Sequence, residues 1–431
     1  MNKRFQSNQC ILLSGLVFQL AIVLMLCSAA TAQLIPNPNP PGNTITVDTD
    51  TNTTEDFENQ GNVIVDKFIT LTNFSPFIIN NSSSPPTYVG QFDIFGILMN
   101  YGTIENDGYI DNSGYIENWG TTINSGTIDN SDTFQHYGTL DNSGYIVNSG
   151  DFHNSDDFYN EAGGIIDNRP GSTFWNWDDL YNWFGGTINN AGTIDNSNLI
   201  DNDGTLSSSG TIWNRHTINN HNSGTIDNSG TIYNEGTIDN SGTIDNQGII
   251  FNRITGAINN FSIIDNSGTI ENNGGDIDNS GIIDNEGAID NFGTIYNRNS
   301  STINNWSSGF IGNWVDTIDN TGTINNEGLI FLQSPGTIKN SGGDIYNTGT
   351  IENLGTIDNS DFIDNSGTIN NSYIGGGNRF GTINNSGIIN NSGTINNDVG
   401  WHTFGIINNS GIINNSGTIN NSHGTLTIRA P

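Results

Sequence analysis

The chain has 431 residues, 44 of them acidic and ten basic, for a formal net charge of −34 at pH 7. So acidic a surface repels nucleic acid and anionic membranes, and favours solubility and cation binding. Only 13% of residues are charged, against roughly 25% in an average soluble domain, which argues against disorder driven by charge.

In chain order, residues 1–32 read as a secretory signal peptide. Lys3 and Arg4 form the basic start, Ile11 to Leu26 the apolar stretch, and Ala30-Thr31-Ala32 a small-x-small cleavage site before Gln33. Both cysteines, Cys10 and Cys27, fall inside this leader, so the mature chain is expected to carry no disulfide. Cleavage also removes Lys3 and Arg4, leaving eight basic against 44 acidic residues, a formal charge of −36. No second apolar stretch of about 18 residues follows, so no transmembrane segment is expected in the mature chain. The predicted location is extracellular or at the cell surface.

Residues 33–43 are rich in Pro and Asn and read as an extended linker. Residues 44–100 are irregular but strand-like, with Thr44-Ile45-Thr46-Val47, Val63-Ile64-Val65 and Phe68-Ile69-Thr70-Leu71. They read as an N-terminal cap of degenerate repeats.

Residues 101–431 form the repeat array. From Gly224 to Arg253 one hexapeptide, Gly-x-Ile-x-Asn-x, is written five times without interruption. A short fixed period over most of a chain signals a stacked architecture. Strand side chains alternate between faces, so Gly, Ile and Asn share one face and Thr, Asp and Ser the other. The apolar Ile face must be the interior. Stacking then places Ile over Ile and Asn over Asn, and a buried Asn is tolerable if its amide pairs with its neighbours along the stack or with corner backbone. Gly and Asn are read at the corners as residues that tolerate a left-handed backbone. The predicted fold is all-β, a parallel β-solenoid taken as right-handed. Two and three hexapeptides per coil remain equally compatible with the spacing.

Insertions that leave the register intact read as loops at solenoid corners. The richest, Gly163 to Gly186, concentrates aromatics, and Trp175, Trp177, Tyr181 and Trp183 are the candidate ligand contacts, as a platform for sugar rings or protein partners. Further aromatic zones hold Trp306, Phe310 and Trp314, then Gly375 to Phe380, then Trp401 and Phe404.

Other chemistry is thinner. Asp227, Asp239, Asp245, Asp265, Asp278, Asp284 and Asp290 occupy one repeat position. Stacked, they would repel and invite Ca²⁺ or another hard cation. The nonapeptide of calcium-binding β-rolls is absent, so the face reads first as solvated. His216 and His221 lie close in sequence without a companion ligand set and read as exposed loop residues. Thr225, Thr231, Thr237 and Thr243 would make one threonine column at best, short of the paired array of ice-binding solenoids. Asn384, Asn390, Asn408, Asn414 and Asn420 head outward Asn-Asn-Ser triplets that fit glycosylation acceptors. Basic residues are few and scattered, and no carboxylate pair stands out, so no enzyme, cofactor or metal site is expected.

The run Gly-Thr-Ile-x-Asn-Ser-Gly-Thr-Ile-x-Asn behind a signal peptide resembles the passenger repeats of autotransporter and filamentous-haemagglutinin-type adhesins, over roughly residues 100–422. The family's translocation barrel and secretion domain are not visible. The resemblance implies a secreted, rod-like structural or adhesive protein with a carbohydrate or surface-protein ligand. End-to-end self-assembly through the open final strand near Thr425 is a further expectation. The alternatives are a carbohydrate-active β-helix enzyme (polysaccharide lyase or hydrolase) and a calcium-stiffened surface-layer component.

Overall fold

The computed structural model describes residues 37–428 apart from Gly42, Thr54, Gly61, 67–68, 74–77, Ser82, 85–87, 372–380, 398–404 and His423. Residues 1–32, read above as a leader, and the aromatic zones at 375–380 and 401–404 lie outside the described residues.

The hexapeptide closes into a coil in threes. Thr225–Asn228 pairs in parallel with Thr243–Asn246, residue for residue, at a separation of 18. Every third strand is therefore a neighbour, and the chain winds through three parallel sheets of 19 strands each. The first face opens with Thr44–Val47, the second with Thr51–Asn52 and the third with Phe57–Asn59. The third face starts with a pairing to Ile78–Asn81 and ends with one between Ile406–Asn409 and Thr425–Ile428, with nothing joining its two ends. At strand spacing, 19 strands make a rod about 90 Å long.

The pairing extends back through residues 44–100. Thr44–Val47 pairs with Asn62–Val65, which pairs with Gln91–Ile94, which pairs with Tyr109–Asn112. These are early coils in register with the array, joined by longer connections. One excursion forms the antiparallel pair Ser83–Ser84 with Tyr88–Val89. Even Asn39 of the stretch read as a linker bridges Asn59.

Most strands in the array alternate half-exposed and buried positions, and the buried ones are the Ile and the following Asn, as the period of two requires. The Ile column fills the axis. Four phenylalanines replace it locally: Phe134 lies edge-on to Phe152, and Phe152 stacks on Phe174 at 5.0 Å with Phe158 alongside.

The inward asparagines form amide ladders. Asn220 Nδ2 donates to Asn240 Oδ1 at 2.8 Å, and Asn240 Nδ2 to Asn260 Oδ1 at 2.8 Å. The same Nδ2 also donates to a backbone carbonyl, as from Asn240 to Ile263 O at 2.8 Å. Each amide thus satisfies two neighbours, which makes a column of fully buried polar side chains stable. On the third face the ladder begins at Asn39 and reaches Asn409.

On the first face Ser208 interrupts it. Asn190 donates to the Ser208 hydroxyl, and Asn228 Oδ1 is left buried without a partner. On the second face His136 Nε2 takes the amide of Asn118, while Asn154 Oδ1 in the next coil is unpaired. Leu332 is a third interruption, absorbed locally. Asn313 turns its amide to Asp316 O and Thr337 O, and Asn353 Oδ1 accepts from Gly355 N.

The corner glycines have a different cause from the one the sequence suggests. Among the described residues, positive φ occurs at Gly163, Gly171, Gly185, Gly274, Gly342 and Ser300, all in insertions. The regular corners need Gly for close approach: a Cβ on Gly230 would lie 2.0 Å from the Gly210 carbonyl oxygen one coil away.

Candidate functional site

The coils from Tyr115 to Trp183 carry aromatics inside and out. The four candidate residues fall into two clusters on different faces. Trp175 occupies the outward position of strand Thr173–Asn176 on the second face, and Trp177 the corner that follows. Tyr181 occupies the outward position of strand Leu180–Asn182 on the third face, and Trp183 its corner. Trp175 and Tyr181 are therefore strand residues, not loop residues. Asp178 and Asp179 occupy the turn between the clusters.

In the first cluster Trp175 stacks over His153 of the preceding coil, with centroids 6.0 Å apart, and Trp177 leans onto His153 at 4.9 Å. Burial lowers the His153 pKa, opposed by the charge of Asp151, so the ring is held towards its neutral form. In the second, Tyr159 and Tyr181 stack at 5.0 Å, and Trp183 meets Tyr159 edge-on. Tyr181 Oη donates to Asp179 Oδ2 at 3.0 Å, and partial burial together with that carboxylate pushes its pKa up to about 12. Beyond Trp183, Phe184 is 73% exposed at the tip of the insertion. The loop is braced from below, with Gly163 N donating to Gly185 O at 3.0 Å.

Stacking decides what these rings can do. A ring whose faces are covered by neighbours in its column offers solvent only its edge. Trp177 and Trp183, each 46% exposed, present open surface.

The sequence reading missed three further groups. His153 and Tyr159 complete the two clusters. Trp119 stacks on Tyr137 at 4.2 Å, at the same corner as Trp177. On the second face Trp213, Tyr233 and Phe251 form a continuous ladder, with the Arg253 guanidinium 4.9 Å from the centroids of both Trp213 and Tyr233. Aligning the sequence coil by coil, at spacings of 18 to 22 residues rather than six, would have revealed all three.

That spacing also redistributes the aspartates. Asp227, Asp245, Asp265 and Asp284 are consecutive rungs of the first face. Asp239 and Asp278 lie on the third face with Asn259 between them, and Asp290 lies on the second, accepting from Trp314 Nε1 at 2.8 Å. Burial raises the Asp265 pKa, with Asp245, Asp284 and Glu286 adding to it. Among the described residues no group of three or more His, Cys, Asp or Glu side chains is arranged to hold a metal ion.

The four threonines likewise divide. Thr225 and Thr243 are neighbours, Thr231 and Thr237 belong to the other two faces. His216 and His221 sit at opposite ends of strand Thr217–Asn220, and His221 pairs with Asp201. The outward Asn408, Asn414 and Asn420 donate to Asn384, Asn390 and Asn396 of the coil before.

Five basic side chains pair with acids: Arg169 with Asp167, Arg215 with Asp195, Arg253 with Glu235, Arg298 with Asp278 and Lys339 with Asp319. The Arg215 and Arg298 pairs are bidentate. Among the described residues no helix is long and apolar enough to cross a membrane. Compared with protein-family models and with curated proteins, the sequence matches none.

Proposed function

We propose that this chain is a secreted, rod-like structural or adhesive protein of the cell surface, and that its aromatic clusters contact extracellular carbohydrate. The observation that carries the reading is the exposure of Trp177 and Trp183, each 46%, on coils held in parallel strand pairing with their neighbours. Exposed aromatics on a rigid support lose little entropy on binding. Repetition along a stiff rod suits multivalent contact. End-to-end association of such rods belongs to the same proposal.

The test has two parts. Mass spectrometry of the secreted protein should find a mature N-terminus at Gln33. A glycan-binding screen of that protein should give signals that fall at least tenfold in the double variant W177A/W183A. A retained leader, or equal binding by the double variant, would refute the corresponding part.

A further inference from the structure

The outward corner that follows each strand of the second face reads, coil by coil, Trp119, Tyr137, Ser155, Trp177. Backbone hydrogen bonds tie these corners in sequence: Tyr137 N to Asn118 O, Ser155 N to His136 O and Trp177 N to Asn154 O. Trp119 and Tyr137 are stacked, as adjacent aromatics of one column should be. Ser155 then leaves the column one ring short.

Tyr137 and Trp177 are separated by two coil spacings, about 9.6 Å. With Trp177 raised into the column, that interval holds one ring between two aromatic faces. Trp177 leans down onto His153 in its place. Two polar atoms of this coil, His153 Nδ1 beneath Trp177 and Ser155 Oγ at the corner, are buried without any hydrogen-bond partner. Buried polar groups are rarely left so, and two within three residues of one coil point to a hydroxyl-bearing guest.

We propose that this gap is a binding slot for one pyranose unit of a neutral glycan, a proposal that rests on the carbohydrate reading above. The sugar ring lies between Tyr137 and Trp177, and its hydroxyl groups bond to Ser155 Oγ and His153 Nδ1. Trp177 swings up into the column as the ring enters, a motion that disturbs no core packing because the side chain is half exposed.

Charge selects the guest. Asp151 lies on the His153 strand, Asp178 and Asp179 follow Trp177, and the five basic side chains described above already have acidic partners. A uronate or sulfated sugar meets only repulsion.

The test uses the full mature protein and tryptophan fluorescence, titrated with cellotetraose and chitotetraose as neutral probes and trigalacturonate as the anionic control. At least one neutral probe should give a saturable change, with no response to trigalacturonate. S155A should weaken binding at least tenfold. Ser155→Tyr, which completes the aromatic column, should abolish binding while leaving the thermal midpoint equal or higher. F261A, at an exposed aromatic outside both clusters, should bind within twofold of the parent.

Neutral-glycan binding that survives S155Y and is lost in W183A would keep the carbohydrate reading and overturn this slot. Unchanged affinity in S155A would show that the two atoms hold water alone, and would overturn it too. No binding of any probe would overturn both.

Discussion

Replacing Asn240 by leucine tests the claim that the amide ladder, and not the Ile column alone, holds adjacent coils together. Asn240 accepts from Asn220 and donates to Asn260 Oδ1 and Ile263 O, each at 2.8 Å. Leucine keeps most of the volume and removes all three bonds. Asn220 keeps its donors occupied, by Gly224 O at 3.2 Å and Thr243 O at 2.9 Å. Asn260 Oδ1 is instead left buried and alone.

An orphaned buried acceptor costs about 1–3 kcal/mol and each of the two other lost bonds about 1 kcal/mol, so the sum is about 3–5 kcal/mol. A stacked array need not unfold in one step, so a single melting curve is the wrong readout. Hydrogen exchange by mass spectrometry localises the effect. Protection in strands Thr217–Asn220, Thr237–Asn240 and Ala257–Asn260 should fall by more than about 100-fold, with distant coils unchanged. A loss under threefold would refute the ladder as a source of stability. An equal loss along the whole rod would refute its locality.

Three other perturbations follow from the same geometry. S208N should restore the missing rung of the first face, giving Asn228 Oδ1 a donor and raising local protection by about 1–2 kcal/mol; no gain would mean that water already serves there. Gly230→Ala should disrupt its corner and open it to protease, because the new Cβ meets the Gly210 carbonyl at 2.0 Å. Gly171→Ala, at φ +86° with open space around it, should cost only about 1 kcal/mol. Equal protease resistance of the two would refute the close-approach argument.

The pH dependence isolates His136. Burial depresses its pKa to about 3 from 6.5, so between those values the unfolded chain binds the proton that the folded chain refuses. Stability from this residue is full above pH 6.5 and is lost as pH falls towards 3, by up to about 4 kcal/mol. The variant H136N should lack that loss and also mend the ladder. Parallel pH profiles of the two proteins would refute the assignment.

The inward pair Ile and Asn was legible because burial acts on each hexapeptide alone, and a period of two within the unit is enough to sort the faces. The coil size was not legible from the unit, since Gly-Thr-Ile-Asp-Asn-Ser serves equally on any of three faces and nothing in it counts to three. The count is carried by what varies: Trp213, Tyr233 and Phe251, or Asp227, Asp245 and Asp265, which recur at 18–20 residues because they touch. For the same reason the candidate aromatics were found, but their partition into two faces was not. Trp177 and Tyr181 are four residues apart in sequence, and the chain turns a corner between them.

Every rung of the ladder has an orientation, with Nδ2 turned towards the following coil and Oδ1 towards the preceding one. The strand-to-strand hydrogen bonds run along the same axis. A pull on the two ends of the rod therefore loads these bonds lengthwise, one coil interface after another, and does not shear them all together. Each coil of the array that yields releases 18 to 26 residues, roughly 60–90 Å of slack at full extension, before the next is strained. Under tension the molecule would lengthen one coil at a time, as a tether that dissipates a sudden load in increments and winds up again when the load is removed.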